Sequence, residues 1–241
     1  MTAMRQLFSA PRRPYYIDAP AYRRTSAGIR VLHLLCHALN SIGEEAYVYP
    51  TETHPALNTP LVTPELIERH KAAGREPIVV YPEVVPGNPR KAASVVRYVL
   101  NRAGLLGGDS VHAETELIFG FGLNALPDGA DPQNILFLPP IDTAIFNNRD
   151  NPDDHQRSGA LLYPGRHQAA LSQYPKLAAE ATLITYSWPE SHEALASLLR
   201  RSEVVYCFES TAIAAEAALC GCPAVILPSP FFNGVALSEA E

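Results

Sequence analysis

The sequence has no apolar run long enough to cross a bilayer, no excess of positive charge and no paired cysteine motif, and each absence narrows what the chain can be. The best apolar candidate, residues 212–227, is broken by Glu216, Gly221 and Pro223, and falls short of the roughly 18 residues a spanning helix needs. The first sixteen residues carry Arg5, Arg12 and Arg13 without an apolar stretch of signal-peptide length. Nothing there directs export, and the expected location is the cytosol. A formal net charge of -6 leaves no overall basic field to hold a nucleic acid, although a local patch can still bind a small anion. Cys36, Cys207, Cys220 and Cys222 sit among apolar neighbours without the Cys-x-x-Cys spacing of a zinc or redox site, and read as reduced core residues. There is no internal repeat. The three-glycine dinucleotide fingerprint, the P-loop ending and the Gly-x-Ser-x-Gly elbow are all missing, which sets aside nicotinamide binding, ATP hydrolysis and acyl-enzyme chemistry.

What is present is a globular α/β pattern. The chain has 241 residues, 47% hydrophobic and 18% charged, which is long for one compact domain and short for two full ones. Strand-like runs at 15–17, 46–49, 77–81, 116–121 and 134–138 alternate with helical spacing at 31–42, 63–74 and 88–104. Thr63-Pro64 and Asn88-Pro89 both read as a cap followed by a first-turn proline. Residues 142–158 turn polar, and a boundary there gives two domains, 1–150 and 151–241. The alternation then restarts, with strands at 159–163, 181–186, 204–207 and 224–227. Helices fall at 174–180, after a capping box at Ser187-Trp188-Pro189-Glu190, and at 212–220. Such alternation predicts βαβ units and mostly parallel sheets.

Candidate functional residues follow from this frame. Gly28, before the first helix, would let backbone N–H groups approach an anion, or would simply permit the turn. His33 and His37 are four apart, but no carboxylate completes a metal set and their leucine neighbours make them packed or surface residues. The richest segment is 207–226. Ser210 and Thr211 start a helix directly after a strand, where unpaired N–H groups and the helix dipole favour an anion such as a diphosphate. Glu216 is the one charge in that helix. It reads equally as a surface-facing carboxylate or as an acceptor for the two hydroxyls of a ribose.

Segment 207–226 resembles the C-terminal-domain signature of retaining GT-B-fold glycosyltransferases that use nucleotide sugars. Glu209, Glu216, Gly221, Pro223 and Val225 match it, with Glu209 one residue nearer to Glu216 than the usual spacing. The resemblance implies that Glu216 binds the nucleotide ribose and that Glu209 contacts the donor sugar as the catalytic-site carboxylate. Tyr163-Pro164-Gly165-Arg166 is similar to the start of the family's donor domain, which implies a diphosphate-binding role for Arg166. Residues 82–89 and 97–104 look like the acceptor-domain pattern of glycosyltransferases from bacterial surface-polysaccharide clusters, and place Glu83, Gly87 and Asn88 at the end of a parallel strand facing a cleft. Residues 141–147 resemble the family's interdomain stretch.

The implied fold is α/β with two Rossmann-like domains in the GT-B manner, the C-terminal one abbreviated because the chain ends at Glu241. The implied function is metal-independent transfer of a sugar from a nucleotide-sugar donor, a substrate and not a cofactor, to a saccharide or lipid-linked acceptor, with retention. A non-catalytic nucleotide-sugar or glycan binding module and a nucleotide-sugar epimerase are the alternatives. The expected setting is cytoplasmic, extending to peripheral placement at the inner membrane surface. The short second domain is expected to leave a sheet edge that a second copy could cover.

Overall fold

A computed structural model describes residues 12–149, 151, 156–209 and 211–228. The chain divides into two compact units, Met1–Pro140 and Ile141–Glu241. Each is built on one wholly parallel sheet.

The first sheet contains β1 (Tyr15–Ile17), β2 (Ala46–Val48), β3 (Ile78–Pro82), β4 (Val95–Val99) and β5 (Leu117–Gly120), in the order β2-β1-β3-β4-β5. Tyr15 is in register with both Ala46 and Ile78, and Val96 with Leu117. Helix α1 (Ala27–Ser41) joins β1 to β2, and turns Val31, Leu32, Leu35 and Cys36 onto a core that includes Ile17, Val80 and Tyr98. At its end the Asn40 side chain donates to Ala46 O at 2.9 Å and accepts from Ala46 N at 3.0 Å, which ties the helix to the start of β2. Helix α2 (Pro64–Ala72) starts as its sequence predicts. Pro64 takes the first position and Thr63 Oγ1 accepts from Leu66 N at 3.2 Å. Its Leu66 packs against Tyr16, Val62, Val79 and Tyr81, a separate cluster from the one under α1.

Residues 95–99 form a strand where their spacing predicts a helix. Apolar positions 92, 95, 96, 99 and 100 fit a helical stripe, but Val95, Val96 and Val99 are β-branched, and the segment is buried on both sides. Val96 and Tyr98 join the α1-side core while Val95 joins the α2-side core. An interior parallel strand need not alternate apolar and polar residues, so period alone misleads here. No helix follows β3 or β4. The chain on the Val95 side is instead organised by Arg97, fully buried within β4. Its guanidinium donates to Glu116 Oε2 at 2.8 Å and Oε1 at 2.9 Å. It also donates to the carbonyls of Pro82 at 3.2 Å, Val85 at 2.6 Å and Gly87 at 2.7 Å. All five N–H donors of the group are thereby used. Residues 134–138, expected as a strand, make only a single bridge from Ile135 to Gly120, after a 3-10 turn at Pro132–Asn134.

The second sheet has the order β7-β6-β8-β9, with β6 (Ala160–Tyr163), β7 (Thr182–Leu183), β8 (Val204–Cys207) and β9 (Ala224–Ile226). Helix α3 (Pro175–Glu180) joins β6 to β7, α4 (His192–Arg201) joins β7 to β8, and α5 (Ala212–Leu219) joins β8 to β9. Leu195 and Leu199 of α4 and Ala217 of α5 share a core with Phe146, Leu161 and Val205. The cap of α4 is Ser191, whose Oγ accepts from Ala194 N at 3.1 Å. Ser187, the sequence-predicted cap, instead belongs to a turn closed by Thr185. Cys36, Cys207, Cys220 and Cys222 are buried free thiols. Among the described residues, no helix is long and apolar enough to cross a membrane.

Candidate functional site

In an open parallel sheet the loops leaving two neighbouring strands diverge where the strand order reverses, and the crevice at the carboxyl ends of those strands receives ligands. In the second unit that point lies between β6 and β8, because the chain leaves β6 toward β7 and returns on the other side as β8. Two loops meet there. Residues 164–167 follow β6, and Phe208 and Glu209 follow β8.

Arg166 Nη2 donates to Glu209 Oε2 at 2.5 Å, and His167 Nε2 lies 3.7 Å from the same oxygen. The Glu209 side chain is 6% exposed and that of Arg166 43%. The carboxylate is therefore the buried anchor, and the guanidinium faces outward. Gly165 makes this approach possible. Its φ is +53°, and a Cβ on it would sit 2.5 Å from Glu209 Oε1 and 3.3 Å from Tyr163 Cε1. A side chain there would displace the carboxylate, and only glycine adopts this backbone without strain. Burial pushes the Tyr163 hydroxyl well above its ordinary range, helped by the nearby Tyr186 and the Glu209 charge.

Thr211 is the N-cap residue of α5, with extended backbone and no side-chain cap bond, so its side chain does not close the first-turn donors. Ser210 lies outside the described residues. Glu216 is 2% exposed, which removes the surface-facing reading. It lies one turn before Cys220, whose thiol is raised chiefly by burial and further by the Glu216 charge.

The sequence-predicted residues of the first unit have local bonding partners. Gly28 lies in the first turn of α1, where a Cβ would meet Leu100 Cδ1 at 3.5 Å, an ordinary packing distance. Glu83 is buried, and its Oε2 accepts from Leu100 N at 3.0 Å just beyond β4. Burial raises its pKa, opposed by hydrogen bonds from backbone N–H groups and by the Arg97 charge. Asn88 Oδ1 accepts from Ala92 N at 2.9 Å and from Tyr81 Oη at 3.1 Å, while its Nδ2 donates to Ala92 O at 2.9 Å. These bonds close the 88–92 turn.

The strand order of the first unit reverses between β1 and β3, and the residues at that point escaped the sequence reading. Arg90 Nε donates to Asp18 Oδ2 at 2.8 Å, and the guanidinium carbon lies 3.3 Å from the centre of the Tyr49 ring. Asp18 follows β1 and Tyr49 follows β2. Both units thus carry an arginine–carboxylate pair at the crossover, and the signal for each is a carboxylate one or two residues past the end of a strand. His33 is fully buried with Nε2 2.9 Å from Pro20 O, and His37 Nδ1 accepts from Asn58 N at 3.0 Å. Among the described residues, no group of three His, Cys, Asp or Glu side chains is placed to hold a metal ion.

These features define a chain of two parallel α/β units compatible with Rossmann-like domains, with an arginine anchored on a buried carboxylate at the crossover of the second. No family model matches the chain, and no curated protein sequence is significantly similar to it.

Proposed function

We propose that the chain is a glycosyltransferase of the GT-B type whose second unit binds the nucleotide-sugar donor. The observation that carries this reading is the Arg166–Glu209 pair across the ends of β6 and β8, beside a glycine with a left-handed backbone. A guanidinium held through Nη2 by a buried carboxylate is preoriented, and such a group is suited to phosphate oxygens and able to stabilise a departing diphosphate without a metal. The first turn of α5, entered through Ser210 and Thr211, adds backbone donors to the same anion. Glu216 is assigned to the ribose hydroxyls and Glu209 to the donor sugar, while Gly28, Glu83 and Asn88 belong to the acceptor-side unit.

In the reaction, the bond from the anomeric carbon to the diphosphate oxygen breaks and a bond to an acceptor hydroxyl oxygen forms. The hydroxyl proton passes to the departing diphosphate, which serves as the base on the face it leaves, so configuration is retained. The acceptor is a saccharide or a lipid-linked acceptor, and the proposed setting is the cytoplasm or the inner membrane surface.

Calorimetry with UDP, GDP and ADP tests the site. At least one is expected to bind, and Arg166→Ala is expected to weaken it about tenfold or more, the loss of a charge-assisted contact. No binding by any of the three, or equal binding by the variant, would refute the reading. Turnover then separates a transferase from a binding module, which would bind without consuming donor, and from an epimerase, which would isomerise the donor without an acceptor.

A further inference from the structure

We infer that the ring of Tyr186 is the floor of a saccharide subsite beside the Arg166–Glu209 pair, with the donor's hexose stacked on the ring and its hydroxyls donating to Glu209. The inference rests on the reading of the second unit as a nucleotide-sugar site and adds to it the place and chemistry of sugar recognition.

Tyr186 lies just beyond β7, the neighbour of β6, at the same carboxyl edge of the sheet. It is 49% exposed, yet it is not a loose surface ring. Its centroid lies 6.4 Å from that of Tyr163, edge to face at 87°. Tyr163 in turn flanks Gly165 on the side where Glu209 Oε1 sits. Tyr186, Tyr163 and Glu209 therefore form one continuous wall. The turn that carries the ring is tightly bonded. Thr185 Oγ1 accepts from Ser187 N at 3.3 Å and Trp188 N at 3.0 Å, and Thr185 N donates to Trp188 O at 2.8 Å. A half-open aromatic ring on a fixed turn loses little freedom when a flat ligand covers it.

The neighbouring groups decide which ligand. Glu209 offers only acceptors when ionised, so the matching partner brings hydroxyl donors, together with an apolar face for the ring. A pyranose has both. The strand order gives the direction. Glu216, assigned to the ribose, lies on α5 beyond β8, whereas Tyr186 lies beyond β6 on the opposite side. A diphosphate anchored at Arg166, between them, sends its nucleoside one way and its sugar the other.

Two measurements on the full chain test this, with UDP, GDP and ADP as probes alongside UDP-glucose, GDP-mannose and ADP-glucose. Trp188, in the same turn, is the one tryptophan of the chain, so its fluorescence reports this turn alone. A sugar conjugate that binds by calorimetry is expected to shift that emission, and its parent diphosphate is expected to bind without shifting it. Tyr186→Ala is expected to weaken the conjugate about threefold to tenfold, the range for one aromatic contact. The parent diphosphate should bind this variant as before, and Tyr186→Phe should restore the conjugate. Equal shifts or equal losses with the parent diphosphate would show that the ring holds the base and would overturn the inference. So would a bound conjugate that leaves both Trp188 emission and Tyr186→Ala affinity unaffected. If neither diphosphates nor conjugates bind the native chain, the donor-site reading itself fails and the subsite falls with it.

Discussion

Arg97 and Glu116 are expected to be the most destabilising pair in the first unit to break. The Arg97 side chain is fully buried and that of Glu116 is 6% exposed. Glu116→Ala leaves two of the five guanidinium N–H donors pointing at nothing, and an uncompensated buried charge of this kind costs about 3–5 kcal/mol. Arg97→Met strands Glu116 and also releases the carbonyls of Pro82, Val85 and Gly87, each at about 1 kcal/mol. The double variant Arg97→Met/Glu116→Leu removes the charge penalty and keeps the carbonyl penalty, so a deficit of about 3 kcal/mol should remain. Hydrogen exchange of the β3, β4 and β5 amides reads this directly. Glu116→Ala should accelerate it about a hundredfold to a few thousandfold at about 1.4 kcal/mol per tenfold. Exchange within tenfold of the native chain would refute the claim that this guanidinium holds the two loops. A double variant as stable as the native chain would refute the part assigned to the carbonyls.

Two further outcomes follow from the same geometry. Glu45 is raised by burial but lowered further by hydrogen bonds from Tyr47, Arg75 and His70 and by the Arg75 charge, which together hold it at about 2. Its folded pKa lies below the unfolded value of 4.5, so its contribution is present above that value and lost as pH falls toward 2. Urea unfolding from pH 6 to pH 2.5 should show a flatter acid limb for Glu45→Gln than for the native chain, and superimposable limbs would count against the network. Gly165→Ala should weaken nucleotide diphosphate binding about tenfold or more, because the new methyl displaces Glu209 and with it the guanidinium. Calorimetry of the variant checks this, and native affinity would mean that the pair does not position the ligand.

The elements legible in the sequence are those whose signals are local. Thr63-Pro64 announces α2, and its cap bond and first-turn proline are both present. The spacing of Val31, Leu32, Leu35 and Leu39 announces α1 in the same way. Val95–Val99 escaped because a strand buried on both faces has no period of its own. What makes it a strand is its parallel pairing with β3 on one side and β5 on the other, which no window of sequence displays. The capping box at Ser187 failed for a related reason, since the Thr185 hydroxyl two residues earlier accepts the Ser187 N–H that the box reserves for Glu190. At the site, Arg166 and Glu209 were readable as residue types after strands. Their pairing across 43 residues follows only from β6 and β8 lying side by side. Asp18 carries the same local signal directly after β1, but its pairing with Arg90, 72 residues on, and the approach of Tyr186 to Tyr163 follow only from the fold.

The buried cations of this protein have a practical corollary. Of 19 basic residues, 16 are arginine, and the three lysines, Lys71, Lys91 and Lys176, are all exposed. Amine-directed reagents therefore reach only the periphery. A fluorophore or resin coupled through lysine leaves the guanidinium groups of Arg97 and Arg166 intact, whereas a dicarbonyl reagent would reach the outward-facing Arg166 and spare the fully buried Arg97.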